Sequence, residues 1–175
     1  MITIISGTNR GNSNSIKIAS LYKDMLNKAG GEEIHILDLR DIPTGFISNA
    51  LYENIGKNEA FNAFIQPVID ADKLVFIVPE YNISIPGVLK AFIDALPYPS
   101  PLCNKVAALV GLGSGTLGGA LALSHFSDIL NYLGMHVLAT KPRLPKIESL
   151  LKDGEMKDLF LVQLLESQAQ QLLKF

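Results

Sequence analysis

The sequence predicts an α/β fold built on one doubly wound parallel sheet of five strands in the order 2-1-3-4-5, with helices on both faces. Three apolar runs support this prediction: Ile2–Ser6, Leu74–Val78 and Val106–Leu112. Runs that are apolar almost throughout are typical of parallel strands covered on both sides. Each run breaks directly into a polar or glycine-rich loop, and a helix-like segment follows. Because the carboxyl ends of parallel strands meet at one edge, we expect the three loops to share a ligand-binding crevice.

The first helix and second strand are indicated by their periodicity. After the strand Ile2–Ser6, apolar residues recur at helical spacing from Ile18 to Ala29, and Gly30-Gly31 ends this helix. Its expected cap is Ser13 or Ser15. Glu33–Leu39 alternates apolar and polar residues, which predicts a short edge strand.

The middle of the chain first departs from regular structure and then returns to it. Residues 40–57 mix proline and glycine with other residue types and predict an irregular excursion. A helical stripe follows from Phe61 to Ile69, directly before the third strand at Lys73–Val78. A further helix is expected from Pro86 to Leu96, since proline is tolerated in the first turn and Pro97 follows the last apolar position.

The second half continues the alternation of strands and helices. Pro97–Pro101 is a stiff connector to the fourth strand, Val106–Leu112. Gly118-Gly119 opens a helix that carries apolar residues as far as Leu133. His136–Ala139 reads as a short fifth strand, and five strands alternating with helices favour right-handed crossovers.

The last part of the chain predicts one crossover and one helix. Pro142 and Pro145 indicate the crossover, and a closing helix is expected from Met156 to Leu173.

Composition bounds the class of protein. At 175 residues, 48% hydrophobic and 18% charged, the chain is expected to form a single domain over residues 1–175. The net charge of −2 and the absence of a basic face argue against nucleic acid and membrane surfaces as partners. The lone Cys103 excludes an internal disulfide and favours a cytoplasmic location. The histidines show no metal-ligand spacing, so no metal site is expected.

The loop after the first strand has the composition of an anion cradle. Thr8, Ser13 and Ser15 supply hydroxyls, Asn12 and Asn14 supply amides, and a helix N-terminus favours negative charge. Arg10 adds a guanidinium that matches phosphate oxygens. The loop lacks the order of a nucleotide P-loop, so a monophosphate fits better than a triphosphate. The alternative is an ordinary turn with a helix cap.

The other two loops have features of a ring-binding site. Pro79-Glu80-Tyr81-Asn82 turns sharply after a buried strand, and its backbone groups can bond the polar edge of a flat heterocycle. Gly113, Gly115 and Gly118 form a G-x-G-x-x-G pattern, but it follows the fourth strand, and the next strand has no carboxylate to hold a ribose. We therefore interpret this loop as a glycine-rich wall beside a ring, with simple turn glycines as the alternative.

Three motifs together resemble one family. G-T-N-R-x-x-S-x-S, P-E-Y-N-x-S-I-P-G-x-L-K-x-x-I-D and G-S-G-x-x-G-G, in this order, are similar to the NADPH-dependent FMN reductases, which are flavodoxin-like flavoproteins. The resemblance covers residue 2 to about residue 135 and implies a flavodoxin-like fold. It implies that the FMN phosphate is held by Thr8, Arg10, Ser13, Asn14 and Ser15. It also implies that the isoalloxazine is lined by Pro79, Glu80, Tyr81, Asn82 and Ser84, and bordered by Gly113, Ser114, Gly115 and Gly118.

The resemblance implies an oxidoreductase that moves hydride from NADPH or NADH to FMN and then reduces a small-molecule acceptor. Free flavin, a quinone, an azo compound or a metal oxyanion would each serve as that acceptor. No catalytic side chain is expected, because the flavin carries the hydride chemistry. A homodimer or homotetramer is also implied. The alternative is a flavodoxin-type electron carrier, although such carriers are typically acidic and cover the flavin with Trp, and this chain has no Trp.

Overall fold

The computed structural model describes residues 1–31, 33–152 and 155–175. Its main sheet has the strand order β2-β1-β3-β4-β5, which confirms the prediction. All neighbouring pairs in this order are parallel. The strands are β1 Ile2–Ser6, β2 Ile34–Asp38, β3 Lys73–Pro79, β4 Val106–Leu112 and β5 His136–Val137.

Helices cover both faces of the sheet, as expected for a doubly wound fold. The longer ones are α1 Asn14–Lys28, α3 Glu59–Asp70, α4 Gly87–Asp94, α5 Ala120–Tyr132 and α7 Leu159–Leu173, and the short ones are α2 Phe46–Asn49 and α6 Ile147–Leu150. The helices α1 and α7 pack on one side, against Ile4, Val75 and Val110. The helices α3, α4 and α5 pack on the other side, where Phe76 lies edge-on to Phe126. No helix in the described ranges combines the length and the apolar character needed to cross a membrane.

Local capping explains where several elements begin. Ser13 caps α1, and its Oγ accepts a hydrogen bond from the Ile16 amide at 3.4 Å. Residues 40–57 form an irregular excursion, as predicted, with short 3-10 turns at Leu39–Asp41 and Tyr52–Asn54 around α2. The helix α4 follows Pro86, which occupies the cap position without a side-chain hydrogen bond.

The fifth strand differs from the prediction. Its paired part is only His136–Val137 rather than His136–Ala139, and the predicted crossover region contains a further strand, β6, at Arg143–Leu144. This strand pairs in parallel with the carboxyl end of β4. Pro142 has no amide hydrogen, but its carbonyl accepts a hydrogen bond from the Gly111 amide at 2.9 Å, so the chain returns to β4 at this proline.

A buried glutamine occupies the gap between β5 and β6. The Gln168 side-chain amide donates to the carbonyl oxygens of Leu109 at 3.0 Å and Thr140 at 2.7 Å. Its Oε1 accepts from the Tyr22 hydroxyl at 3.0 Å. Burial raises the pKa of that hydroxyl well above its ordinary value. The Gln168 side chain thus gives the Leu109 carbonyl of β4 the hydrogen bond that the backbone of a neighbouring strand would otherwise donate.

The closing helix begins later than expected. Met156 was predicted to lie in it but belongs to a two-stranded antiparallel pair, β7 Leu151–Lys152 with β8 Glu155–Met156. Helix α7 starts at Leu159, where the Asp158 carboxylate caps it by accepting from the Leu161 amide at 3.1 Å. Met156 is apolar and lies three positions before Leu159, so helical periodicity alone could not show that Met156 belongs to a strand and Leu159 to the helix.

Candidate functional site

A cleft of about 310 Å³ lies beyond the carboxyl ends of β1, β3 and β4. Its size is at the lower end of the roughly 300–1,000 Å³ typical of small-molecule sites. The residues that line it come from all three predicted loops and from the segment after β6: Thr8, Arg10, Asn12, Ser13, Asn14, Ser15, Pro79, Glu80, Tyr81, Leu112, Gly113, Ser114, Ile147 and Glu148. The three loops therefore share one edge, as the order of the strands requires.

A hydrogen bond joins the first two loops. Thr8 Oγ1 and the Tyr81 hydroxyl are 2.7 Å apart, although 73 positions separate them in the sequence. Thr8 is buried, and its Oγ1 also accepts from the Arg10 amide at 3.2 Å. Glycine at position 7 permits the close approach of β1 and β3, because a Cβ there would lie 2.7 Å from the Ile77 carbonyl oxygen, to which the Gly7 amide donates at 2.9 Å. The cleft thus lies at the point where the strand order reverses.

The N-terminus of α1 is suited to bind an anion. Ser15 lies in its first turn and lines the cleft, and only 1% of this residue is exposed. Its Oγ has no hydrogen-bond partner among the described residues. A buried hydroxyl without a partner is costly, so a ligand acceptor at this position would relieve it. Together with the positive end of the helix dipole and the Arg10 side chain, this donor set fits a phosphate group.

The turn after β3 holds two predicted residues outside the cleft lining. Tyr81 and Ser84 exchange both backbone hydrogen bonds, at 2.9 and 3.0 Å, so Asn82 and Ile83 form the tip of a tight turn. The Ser84 hydroxyl bonds Nδ1 of His125 on α5 at 3.0 Å. His125, for which the sequence indicates no role, thus anchors this turn. Asn82 and Ser84 therefore shape the loop, while Pro79, Glu80 and Tyr81 line the cleft.

The loop after β4 is divided in the same way. Gly113 and Ser114 line the cleft, whereas Gly115 and Gly118 do not. Gly118 has a φ of +59°, and a Cβ atom there would lie 2.8 Å from the Pro145 nitrogen. This glycine is required because the backbone before α5 packs directly against the chain after β6.

Glu148 is the main site residue that the sequence analysis missed. It lines the cleft, and the Ser114 hydroxyl donates to its Oε1 at 2.7 Å. This hydrogen bond, with a smaller contribution from the positive charge of Arg10, lowers the pKa of the Glu148 carboxyl. No sequence pattern identified it, because it is a single carboxylate beyond the last recognisable motif. Leu112 and Ile147 also line the cleft and were not predicted.

The strand order and the cleft beyond the carboxyl edge define a flavodoxin-like α/β protein. The family model of the NADPH-dependent FMN reductases matches residues 1–146, and the chain belongs to this family. It is 34% identical over 142 residues to an NAD(P)H-dependent FMN reductase of Pseudomonas aeruginosa, a match covering 80% of this chain and 74% of that protein. It is also 32% identical over 174 residues to an NAD(P)H:quinone oxidoreductase of Solanum tuberosum, covering 89% and 88% of the two chains.

A solved structure shows the same fold. The FerB flavoenzyme, an NAD(P)H:(acceptor) oxidoreductase of Paracoccus denitrificans, superposes with a TM-score of 0.76 at 24% identity, over 99% of this chain and 97% of that one. Family membership confirms the expectation of an oxidoreductase that uses FMN and NAD(P)H. It also favours the enzyme over the flavodoxin-type carrier.

Proposed function

We propose that the cleft holds FMN and that the enzyme uses NAD(P)H to reduce a small quinone. The observation that carries this proposal is the unpartnered, buried Ser15 hydroxyl at the N-terminus of α1, in the same cleft as the joined Thr8 and Tyr81 side chains. The quinone is favoured as acceptor because a relative similar along most of its length is named an NAD(P)H:quinone oxidoreductase.

In this proposal the phosphate of FMN lies at the start of α1. Ser15 Oγ and the amides of the first turn would donate to its oxygens, and Arg10 would supply a charged hydrogen bond. The side chains of Ser13 and Asn14 stand at the same end of the helix and line the cleft. Ser13 keeps its capping bond with the Ile16 amide, so the first turn is already ordered before a ligand binds.

The flavin ring would lie toward the other strands of the cleft. Pro79 and Tyr81 border it on one side, and Leu112 and Gly113 border it on the other. When bound, FMN supplies two-electron transfer between NAD(P)H and an acceptor. The task of the protein is then to fix the ring, exclude water from one face and leave room for the nicotinamide.

We also propose that the chain assembles into a homodimer or homotetramer. An apolar groove of about 550 Å³ lies between α4 and α5 and includes Ile93, Leu96 and Leu133. Tyr98 and Tyr132 beside it are 93% and 90% exposed, which is unusual for large side chains next to an apolar groove. Light scattering should give at least twice the mass of the chain, and Tyr132→Glu should reduce it. A monomeric native protein would refute this proposal.

The cytoplasm is the location that we propose for this protein. The single Cys103 is exposed and forms no disulfide within the described residues, which suits a reducing compartment. Fractionation of the source cells should recover the protein with cytoplasmic markers.

The experiment that tests the proposed function combines binding and turnover. Purified protein is titrated with FMN, and NADPH and NADH oxidation are then followed with 1,4-benzoquinone, an azo dye or chromate as acceptor. We expect FMN binding and the fastest oxidation with the quinone. A protein that binds FMN but does not oxidise NAD(P)H would be a carrier, and a protein that binds no FMN would refute the flavin site.

A further inference from the structure

The cleft is not uniformly suited to anions. The charged side chains that line it, within the described chain, are Arg10, Glu80 and Glu148. One cation therefore faces two carboxylates in a site whose α1 end is built for a phosphate. Glu148 lies beyond residues 1–146, the part that the family model matches.

Several contacts fix the position of Glu148. The amides of Lys146 and Ile147 donate to the carbonyl oxygens of Gly115 at 3.0 Å and Gly113 at 3.2 Å. The Ile147 side chain is buried in the core, and the Ser114 hydroxyl holds the carboxylate itself at 2.7 Å. The carboxylate is thus attached to the loop after β4 by backbone and side-chain bonds, and it stays at the cleft.

The charge of Glu148 acts on whatever anion enters the cleft. The Ser114 hydrogen bond and the nearby Arg10 lower the pKa of this carboxyl, so it is ionised at neutral pH. A phosphate monoester carries a charge of about −1.5 to −2 near pH 7. Glu148 therefore attracts Arg10, and it would repel a phosphate bound in the proposed site.

We propose that Glu148 selectively weakens the binding of phosphorylated flavin. The cleft then prefers FMN over riboflavin less strongly than it would without this carboxylate, and bound FMN exchanges with FMN in solution. This inference rests on the proposed FMN site. It assigns Glu148 a specificity role without contact with the reacting atoms. The competing role is that the carboxylate accepts hydrogen bonds from the sugar-like hydroxyls of the flavin side chain, which FMN and riboflavin share.

The test compares FMN and riboflavin binding, by quenching of flavin fluorescence, in the native protein and in Glu148→Gln. Glutamine keeps the size and can still accept the Ser114 hydrogen bond. We expect the Kd for FMN to fall about three- to tenfold and the Kd for riboflavin to stay within about twofold. The FMN effect should shrink in about 1 M NaCl, where the Debye length is about 3 Å.

Glu166→Gln on α7 is the matched control, because it makes the same chemical change beside Met25 and Lys28, away from the cleft. Its FMN affinity should equal that of the native protein. An unchanged FMN affinity in Glu148→Gln would overturn the inference while leaving the FMN site intact. Equal weakening of FMN and riboflavin would overturn it in favour of the hydroxyl-binding role. If the native protein binds neither flavin, the FMN site itself fails.

Discussion

The two walls of the cleft are built in different ways. The first wall consists of residues 8–15, from the loop after β1 to the start of α1, and residues 79–81, at the end of β3, and both follow parallel strands that pair along the whole of β1. The second wall consists of the loop after β4 together with residues 144–148. It is supported by the split edge of the sheet, where the short strands β5 and β6 pair with the beginning and the end of β4. The first wall presents hydroxyls, the N-terminus of α1 and the Glu80 carboxylate, whereas the second presents the Glu148 carboxylate and packed glycines.

The polar groups of the two walls have different roles: those of the first wall face a ligand, and many of those in the second wall hold the wall in place. In the first wall the ends of β1 and β3 position the loops, and the buried Ser15 hydroxyl and the exposed Arg10 side chain remain available for a ligand. In the second wall much of the polar chemistry is used to hold the wall together: backbone bonds to residues 146 and 147, the Ser114 hydrogen bond and the Gln168 bridge. Substitutions of the residues that hold the second wall together should therefore affect folding, and substitutions of the residues that face the cleft in the first wall should affect ligand binding.

The largest effect is expected from Gln168→Leu. This change leaves the carbonyls of Leu109 and Thr140 and the Tyr22 hydroxyl without their partner in a buried site. We expect the free energy of unfolding to fall by about 3–5 kcal/mol, measured by urea denaturation. Gln170→Leu, at an exposed position of the same helix, should change it by less than about 0.5 kcal/mol. Equal effects of the two changes would show that the bridge contributes nothing.

Gly118→Ala should have the next largest effect. The added Cβ meets the backbone of Leu144 and Pro145 within 3.0 Å, and alanine is disfavoured at a φ of +59°. We expect a loss of about 2–4 kcal/mol of stability in thermal unfolding.

Gly115→Ala is the control for this position, because a Cβ there meets nothing within 4 Å. It should leave stability within about 0.5 kcal/mol of the native value. If Gly118→Ala were equally harmless, the second wall would be adaptable and the contrast between the walls would fail.

Arg10→Ala tests the first wall and should leave folding unchanged. Arg10 is exposed and lines the cleft, so in the proposed FMN site its removal would cost a charged hydrogen bond to the phosphate. We expect FMN binding to weaken by about 1–3 kcal/mol in a fluorescence titration. Arg40→Ala, which removes an arginine paired with Asp38 at 3.0 Å outside the cleft, should not weaken it. An unchanged FMN affinity in Arg10→Ala would place the phosphate elsewhere.

Most of the first wall could be predicted from the sequence, because unbroken apolar runs lead directly into its polar residues. The apolar runs at β1 and β3 define long parallel strands, and the order 2-1-3-4-5 then brings Thr8 and Tyr81 to the same edge. The Ser and Asn residues after β1 show the helix cap, and Ser13 takes that position. Here local pattern and tertiary placement agree, so most of the residues predicted at the carboxyl ends of β1 and β3 and in the loops after them line the cleft.

Only part of the second wall was predicted: Gly113 and Ser114 line the cleft, but tertiary contacts determine the rest of this wall. Strands of two residues, such as Arg143–Leu144, are too short to show a period of two. The glycine pattern after β4 looked like a ring-binding motif, but Gly118 instead meets Leu144 and Pro145. Glu148 reaches the cleft only because the chain returns to β4 after Pro142, and no local pattern records that return.

The split outer edge of the sheet also bears on self-association. A long edge strand with free backbone groups recruits strands from other molecules and can start aggregation. The strands β5 and β6 are only two residues each, and the Gln168 side chain occupies the space between them. This edge of the sheet therefore has no long strand with which a strand of a neighbouring molecule could pair. As long as α7 stays packed on the sheet and keeps Gln168 in place, the native protein is protected from strand-to-strand aggregation at this edge.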